Sequence, residues 1–399
     1  MNKKIIIILA PFKIRKYDFE RFDFEELKKI HNTEVVFHEV IDYIYPNFYK
    51  VFTNTYENEN IIKFSDFNRW KKEIISLKKR FGKDILILNT VNNVDFKSIR
   101  INFFLKKNKI KYLSYSVVRH AMDEKGSVLY NLKWLFENLI FNQKKIIIYI
   151  ENLLTSLTQE LFNIYPDFFL RCGDKSELNN FDKKTKFING NSFDYNMSLK
   201  HRNTNFEHKE KYGLFLEAPW PVHNDGDFVL VGNKTNTKEL AKSWLNSLNK
   251  FFDLVEKKFN IKILIAPHPK IKHHEKYSKL YNGREIIDKG LHLSAKNAEL
   301  IISRNSGGGS YAAIYKKPKI FIYNNDLKKR ENYVKNQLKF AEEFGSNLIN
   351  IDDDFTSENL NNLIKFDNKK YQSYISRFLT SRKDEKPNHT IISEILGNL

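Results

Sequence analysis

Short aliphatic runs alternate along this chain with longer stretches whose apolar positions recur every three or four residues. Ile5–Ala10, Glu34–Val40, Asp84–Asn89, Ile110–Ser116 and Asp167–Arg171 have the length and apolar content of buried parallel strands. Phe24–His31, Asn68–Phe81, Ser98–Asn108 and Leu129–Leu161 carry helical spacing between them, and Gly82 stands where a glycine commonly closes a helix. Lys186–Ile188 reads as a further short strand. The polar stretch His201–Lys211 then breaks the pattern as a linker would. It resumes with a strand at Tyr212–Glu217 and a helix that Thr237 caps and that runs to Phe259. That helix turns Leu240, Trp244, Leu248, Phe251, Phe252 and Val255 to one face. Strands follow at Ile261–Ala266, Leu300–Ser303, Lys319–Tyr323 and Asn347–Ile351, with a helical stretch at Leu327–Phe344 and closing helices within Glu358–Leu396.

Strand–helix alternation on both sides of a polar break predicts an α/β protein built as two Rossmann-like domains facing each other across a cleft. We expect an acceptor-side domain at 1–205, a donor domain at 212–350, and helices at 355–399 that pack back on the first domain.

Composition narrows this little. The 399 residues suffice for two domains, and 33 Phe with 20 Tyr do not suit a disordered chain. A net charge of +19 favours anionic partners such as nucleic acid, an acidic membrane or phosphorylated donors. The lysines are spread rather than clustered, and no helix-turn-helix, RNA-recognition or zinc-finger signature is present, so nucleic acid is not the expected partner. A single cysteine, Cys172, excludes an internal disulfide and fits a reducing compartment. The apolar run Ile5–Ala10 stops at Pro11, shorter than a signal-peptide core of about 7–15 residues, and reads as the first strand. No run reaches the ~20 apolar residues of a membrane span. A cytoplasmic protein is expected, resting peripherally on the inner membrane through its positive charge.

The chemistry concentrates between Lys262 and Tyr323. Strand Ile261–Ala266 ends in Pro267-His268-Pro269-Lys270, where two prolines stiffen a loop around one histidine. Strand Leu300–Ser303 runs into Arg304-Asn305-Ser306-Gly307-Gly308-Gly309-Ser310 and a helix at Tyr311–Tyr315. Such a turn crowds backbone N–H groups at a helix start, where the dipole also favours an anion. Ligands of open α/β sheets bind at the strands' carboxyl ends. We therefore expect Pro267, His268, Lys270, Arg284, Ser303, Arg304, Asn305, Ser306, Gly307, Gly308, Gly309 and Ser310 to hold the phosphate or nucleotide of a donor. The bland alternatives are a tight glycine turn, a loop histidine, and serines that only cap the helix. His120, Asp123 and Glu124, in a polar loop after Ile110–Ser116, are candidates for a base across the cleft. Asp352, Asp353 and Asp354 imitate an Asp-x-Asp metal signature, but read as acidic residues ahead of a helix. His273, His274 and Glu275 lack a convincing zinc partner set. Neither a P-loop nor a Gly-x-Ser-x-Gly elbow is present. No metal and no cofactor is expected.

Two Rossmann-like halves with an anion site in the second suggest a GT-B glycosyltransferase. Over about Tyr212–Tyr323, the His-Pro motif at Pro267-His268-Pro269, the serine-containing turn Ser303–Ser310 and the Lys317-Pro318-Lys319-Ile320 strand resemble bacterial surface-carbohydrate transferases. The likeness is to capsule-type polysialyltransferases and Kdo transferases. It implies that His268 contacts the donor phosphate or nucleotide and that Ser306 and the glycines hold the same phosphate. It also implies a CMP-linked acidic sugar, such as a nonulosonate or Kdo, as donor, with an oligosaccharide or glycolipid of a bacterial surface glycan as acceptor. A UDP-sugar-dependent transferase or epimerase, a polyol-phosphate polymerase and, more remotely, a nucleic-acid-binding protein stay open.

Overall fold

A computed structural model describes residues 3–46, 56–115, 143–174, 184–218, 221–222, 238–268, 277–287, 290–304, 306–329 and 331–398. Seven strands build a first sheet: β1 Lys4–Ala10, β2 Thr33–Glu39, β3 Ile61–Lys63, β4 Ile85–Asn89, β5 Tyr112–Tyr115, β6 Phe168–Arg171 and β7 Lys186–Asn189. Five build a second: β8 Tyr212–Leu216, β9 Lys262–Ala266, β10 Leu300–Ser303, β11 Lys319–Tyr323 and β12 Leu348–Asn350. Their orders are β3-β2-β1-β4-β5-β6-β7 and β12-β11-β10-β8-β9. Every ladder joining neighbours in these orders is parallel. Parallel pairing needs a crossover between successive strands, and the helices that supply it cover both faces. This is why the central strands read as unbroken apolar runs: β1 is buried from Ile5 through Ala10.

Two apolar layers flank each sheet. Under the first, Trp70, Ile74 and Leu77 of the Phe67–Phe81 helix pack with Ile5, Ile7 and Ile87. Asp66 caps that helix by accepting from the N–H of Arg69, and Gly82 closes it at φ +61°, a conformation glycine adopts without strain. On the opposite face, Phe22, Phe24 and Leu27 meet Ile6, Ile8 and Leu86, joined by Ile391, Ile392, Ile395 and Leu396 of the Asn388–Gly397 helix. The C-terminal segment thus packs on the first sheet. Polar contacts fix it there: Asn388 Nδ2 donates to the carbonyl of Asn191 (2.9 Å), and its N–H donates to Asn196 Oδ1 (2.8 Å). In the second half, Trp244, Leu248, Phe251, Phe252 and Val255 cover one face of the sheet, and Tyr311, Phe340, Phe344, Tyr371 and Tyr374 the other.

Several elements depart from the sequence reading, among them short helices at Lys16–Arg21 and Leu291–Asn297, which it left without an element. β3 is a three-residue edge strand that is nowhere fully buried, so no apolar run marks it. Leu327–Phe344 splits into Asn325–Lys328 and Glu331–Phe344. Phe193–Lys200, read without an element, is a helix capped by Ser192 Oγ, which accepts from the N–H of Tyr195. The start of the 129–161 stretch and the Thr237 cap lie outside the described residues.

Candidate functional site

Strand register sets the frame of the site. Ala266 of β9 pairs with Leu216 of β8, and Leu216 with Ser303 of β10. The loops after β9, β8 and β10 therefore leave one sheet edge at the same level. Two strand spacings, roughly 10 Å, separate the chain before His268 from the chain before the glycine run.

A buried carboxylate organises the His-Pro end of this edge. Glu217, 3 % exposed, stands just past β8. Its Oε2 accepts the backbone N–H of His268 (3.1 Å). The same carboxylate accepts the hydroxyl of Tyr277 (2.5 and 2.6 Å) and that of Tyr281. Burial, followed by the Glu217 charge, drives both phenols well above the usual tyrosine range, so they serve as fixed donors. Glu217 closes the apolar run Tyr212–Glu217 and was legible only as a strand end.

The glycine run is helical rather than an open turn. Gly307–Gly309 forms a tight 3₁₀ turn that continues into the Ser310–Ile314 helix, with the Ser306 carbonyl accepting from the Gly309 N–H (2.9 Å). Gly309 has φ −59°, so here glycine provides space rather than a left-handed backbone. A Cβ on Gly308 would lie 2.3 Å from Leu291 Cδ2, and one on Gly309 would lie 3.2 Å from Lys319 Cε and Nζ.

Lys319 is a further residue that sequence reasoning missed, since it looked like one more position of a strand. It is 1 % exposed. Its ammonium donates to Ser303 Oγ and lies 5.1 Å from the centroid of the Phe321 ring. Burial lowers its pKa to about 7. A lysine of adjustable charge thus lies directly beneath the start of the glycine helix.

The first domain reaches the same helix start. Asp194, near the start of the Phe193–Lys200 helix, accepts the hydroxyl proton of Ser310. Burial, then Asp194, raises Tyr315 to about 12. At the carboxyl ends of β1 and β2, Lys13 bridges Glu39 (2.9 Å) and Asp42 (2.7 Å). Burial opposes the Lys13 charge, but these two carboxylates prevail and raise its pKa.

Pro267, His268, Ser303, Ser306, Gly307, Gly308, Gly309 and Ser310 therefore lie along one edge of the second sheet. Arg304 is there too, 4 % exposed, with its guanidinium 5.5 Å from the Trp244 ring centroid. Arg284 is a correction. Its guanidinium binds Glu256 (2.7 Å) and Asp253, and donates to Asn249 Oδ1 (3.1 Å) on the Lys238–Phe259 helix. Glu256 also accepts the N–H of Ile263, near the amino end of β9, so Arg284 sits at the opposite edge from His268. Lys270, Asn305, His120, Asp123, Glu124, His273, His274 and Glu275 lie outside the described residues. Asp352 and Asp353 bind the loop around them: Asp352 Oδ2 accepts from the N–H of Asn325 (2.9 Å) and Asp353 Oδ1 from Asn350 Nδ2 (2.7 Å). The cap of the following helix is Thr356.

No protein-family model matches the sequence, and neither does any curated protein. Solved structures do match across the whole chain. The UDP-GlcNAc 2-epimerase of Methanocaldococcus jannaschii superposes with a TM-score of 0.50 at 15% identity, covering 99% of this chain and 100% of the epimerase. The S. aureus MnaA–UDP co-structure gives 0.51 at 11% identity, covering 99% and 96%. The wall teichoic acid polymerase TagF gives 0.53 at 13% identity, covering 99% and 89%. At such identities the likeness is one of architecture, and the architecture is GT-B: two parallel α/β domains facing each other.

Proposed function

We propose that this chain is a glycosyltransferase that moves a sugar from a nucleotide-activated donor to a bacterial surface glycan. The donor would bind the second domain and the acceptor the first. The observation that carries the reading is the shared edge of the second sheet, where His268, held through Glu217, and a glycine-started helix underlain by Lys319 face the same level. Breaking a bond to a nucleoside phosphate builds negative charge on the leaving phosphate. Amides at a helix start, an imidazole and a buried ammonium stabilise that charge without a metal. His120, Asp123 and Glu124 are proposed as the set from which an acceptor base is drawn.

Within this reading, the His-Pro motif favours a CMP-linked acidic sugar. The architectural match to a UDP-GlcNAc 2-epimerase and to MnaA bound to UDP favours a UDP-sugar, and the match to TagF a polyol-phosphate polymerase. A thermal-shift screen of CMP, UDP and GDP separates these, because a ligand of the native state raises its melting temperature. The test of the site is His268→Ala. Turnover is expected to fall by about 10²-fold, more than donor affinity does, as for loss of one oxyanion-type donor. Near-normal turnover in the folded variant would overturn the assignment.

The described surface also favours contact with an acidic membrane. Ile147, Ile150, Leu154, Leu157 and Leu161 recur at helical spacing along Gln143–Leu161, and all are exposed. No described helix is long and apolar enough to cross a membrane. An apolar helix face on a chain of charge +19 suits a surface carrying anionic lipid.

A further inference from the structure

Beside the glycine helix, which packs against the Leu291–Asn297 and Phe193–Lys200 helices, three metal-ligating side chains converge from both domains. Glu20 comes from the Lys16–Arg21 helix, His201 closes the Phe193–Lys200 helix, and His292 lies in the Leu291–Asn297 helix of the second domain. Nε2 of His201 is 2.5 Å from Glu20 Oε1, and Nε2 of His292 is 3.8 Å from the same oxygen. The two imidazole centroids are 4.3 Å apart. We propose that Glu20, His201 and His292 bind one divalent transition ion of the zinc type, which ties the second domain to the first.

Three observations carry this. First, the ligand atoms lie within 4.8 Å of one another. Two ligands of one tetrahedral zinc, each about 2.1 Å from it, stand about 3.4 Å apart, so the observed 2.5 and 3.8 Å from Glu20 Oε1 bracket that spacing. Second, His292 is 2 % exposed, and both its ring nitrogens are buried without a hydrogen-bond partner among the described residues. A buried polar group left so costs stability, and a metal on Nε2 would satisfy it. Third, the ring is held in place: a Cβ at Gly290 would fall 2.4 Å from His292 Cε1, so only glycine there leaves the ring room. Lys200, the neighbour of His201 in sequence, is itself ion-paired to Glu26 (2.8 Å) and Asp23 (3.6 Å). Two imidazoles and one carboxylate suit zinc-like ions over magnesium or calcium, and a water would complete the set.

The experiment uses the full chain, stripped with a chelator, dialysed, and titrated with Co²⁺ and then Zn²⁺. The wild type is expected to take up one equivalent of cobalt with visible absorption, to release it to zinc, and to melt higher with zinc than without. Glu20→Gln and His201→Gln alter partly exposed positions and should leave the metal-free fold intact. Each should weaken zinc binding by about 100-fold or more, beyond the effect of losing an outer-shell partner. His292→Ala should abolish it. No uptake by the wild type, or unchanged uptake in both Glu20→Gln and His201→Gln, would overturn the proposal.

Discussion

Lys319 offers a prediction that needs no substrate. The perturbation is Lys319→Met, which keeps the stem and removes the ammonium. Burial brings the folded pKa to about 7, whereas a lysine in an unfolded chain titrates near 10.4. The folded-state value is thus depressed. The associated stability is fully present above the unfolded value and is lost as pH falls toward the folded one. Between about pH 7 and 10 the unfolded chain retains a proton that the folded chain has released, so stability should rise with pH by up to about 1.4 kcal/mol per unit. Over that window this amounts to about 4 kcal/mol. Other groups titrate in both proteins, so the wild-type minus Lys319→Met difference isolates this lysine. The assay is urea unfolding of both proteins at several pH values across the window. Lys319→Met is expected to be the more stable protein near neutrality, with an advantage that shrinks as pH rises and stays flat below about pH 7. Parallel pH curves for the two proteins would refute the reasoning, because they would mean that the lysine keeps its charge. The same lysine lies under the proposed phosphate position. Nucleotide affinity of the wild type should therefore weaken as pH rises through about 7 to 9, and that of Lys319→Met should not.

Three further outcomes follow from the geometry. Arg284→Ala should cost roughly 2 kcal/mol of stability, since it strips a mostly buried cation from Glu256 and Asn249, yet leave nucleotide affinity unchanged; a large loss of affinity would return Arg284 to the site. Sugar transfer by EDTA-treated protein should persist below its melting temperature, and recovery of lost activity by Mn²⁺ or Mg²⁺ would show that the leaving phosphate needs a metal. Flotation with anionic vesicles should show binding at low salt that fades at high salt; binding indifferent to salt, or none at low salt, would assign the positive charge another purpose.

Local sequence determined most of the fold because parallel sheets leave a local mark. Strands buried on both faces must be apolar throughout, as in Ile5–Ala10 and Leu300–Ser303, and amphipathic helices must turn one stripe inward, as Trp244, Leu248, Phe251 and Val255 do. The glycine run and the His-Pro end were visible for the same reason: each follows such a strand directly. What tertiary structure alone decided is which polar residues meet. Arg284 looked like a phosphate ligand by proximity in sequence, but a helix that precedes it by some 30 residues offers Glu256 and Asn249, and the guanidinium goes there. Glu217 and Lys319 looked like ordinary strand residues. They acquire roles because neighbouring strands bring Tyr277, Tyr281 and the His268 N–H to one carboxylate, and Ser303 and Gly309 to one ammonium. Glu20, His201 and His292 are separated by most of the chain's length, and no periodicity connects them. Burial and charge pairing act through space, so they became readable only once the two sheets and the helices between them had fixed the distances.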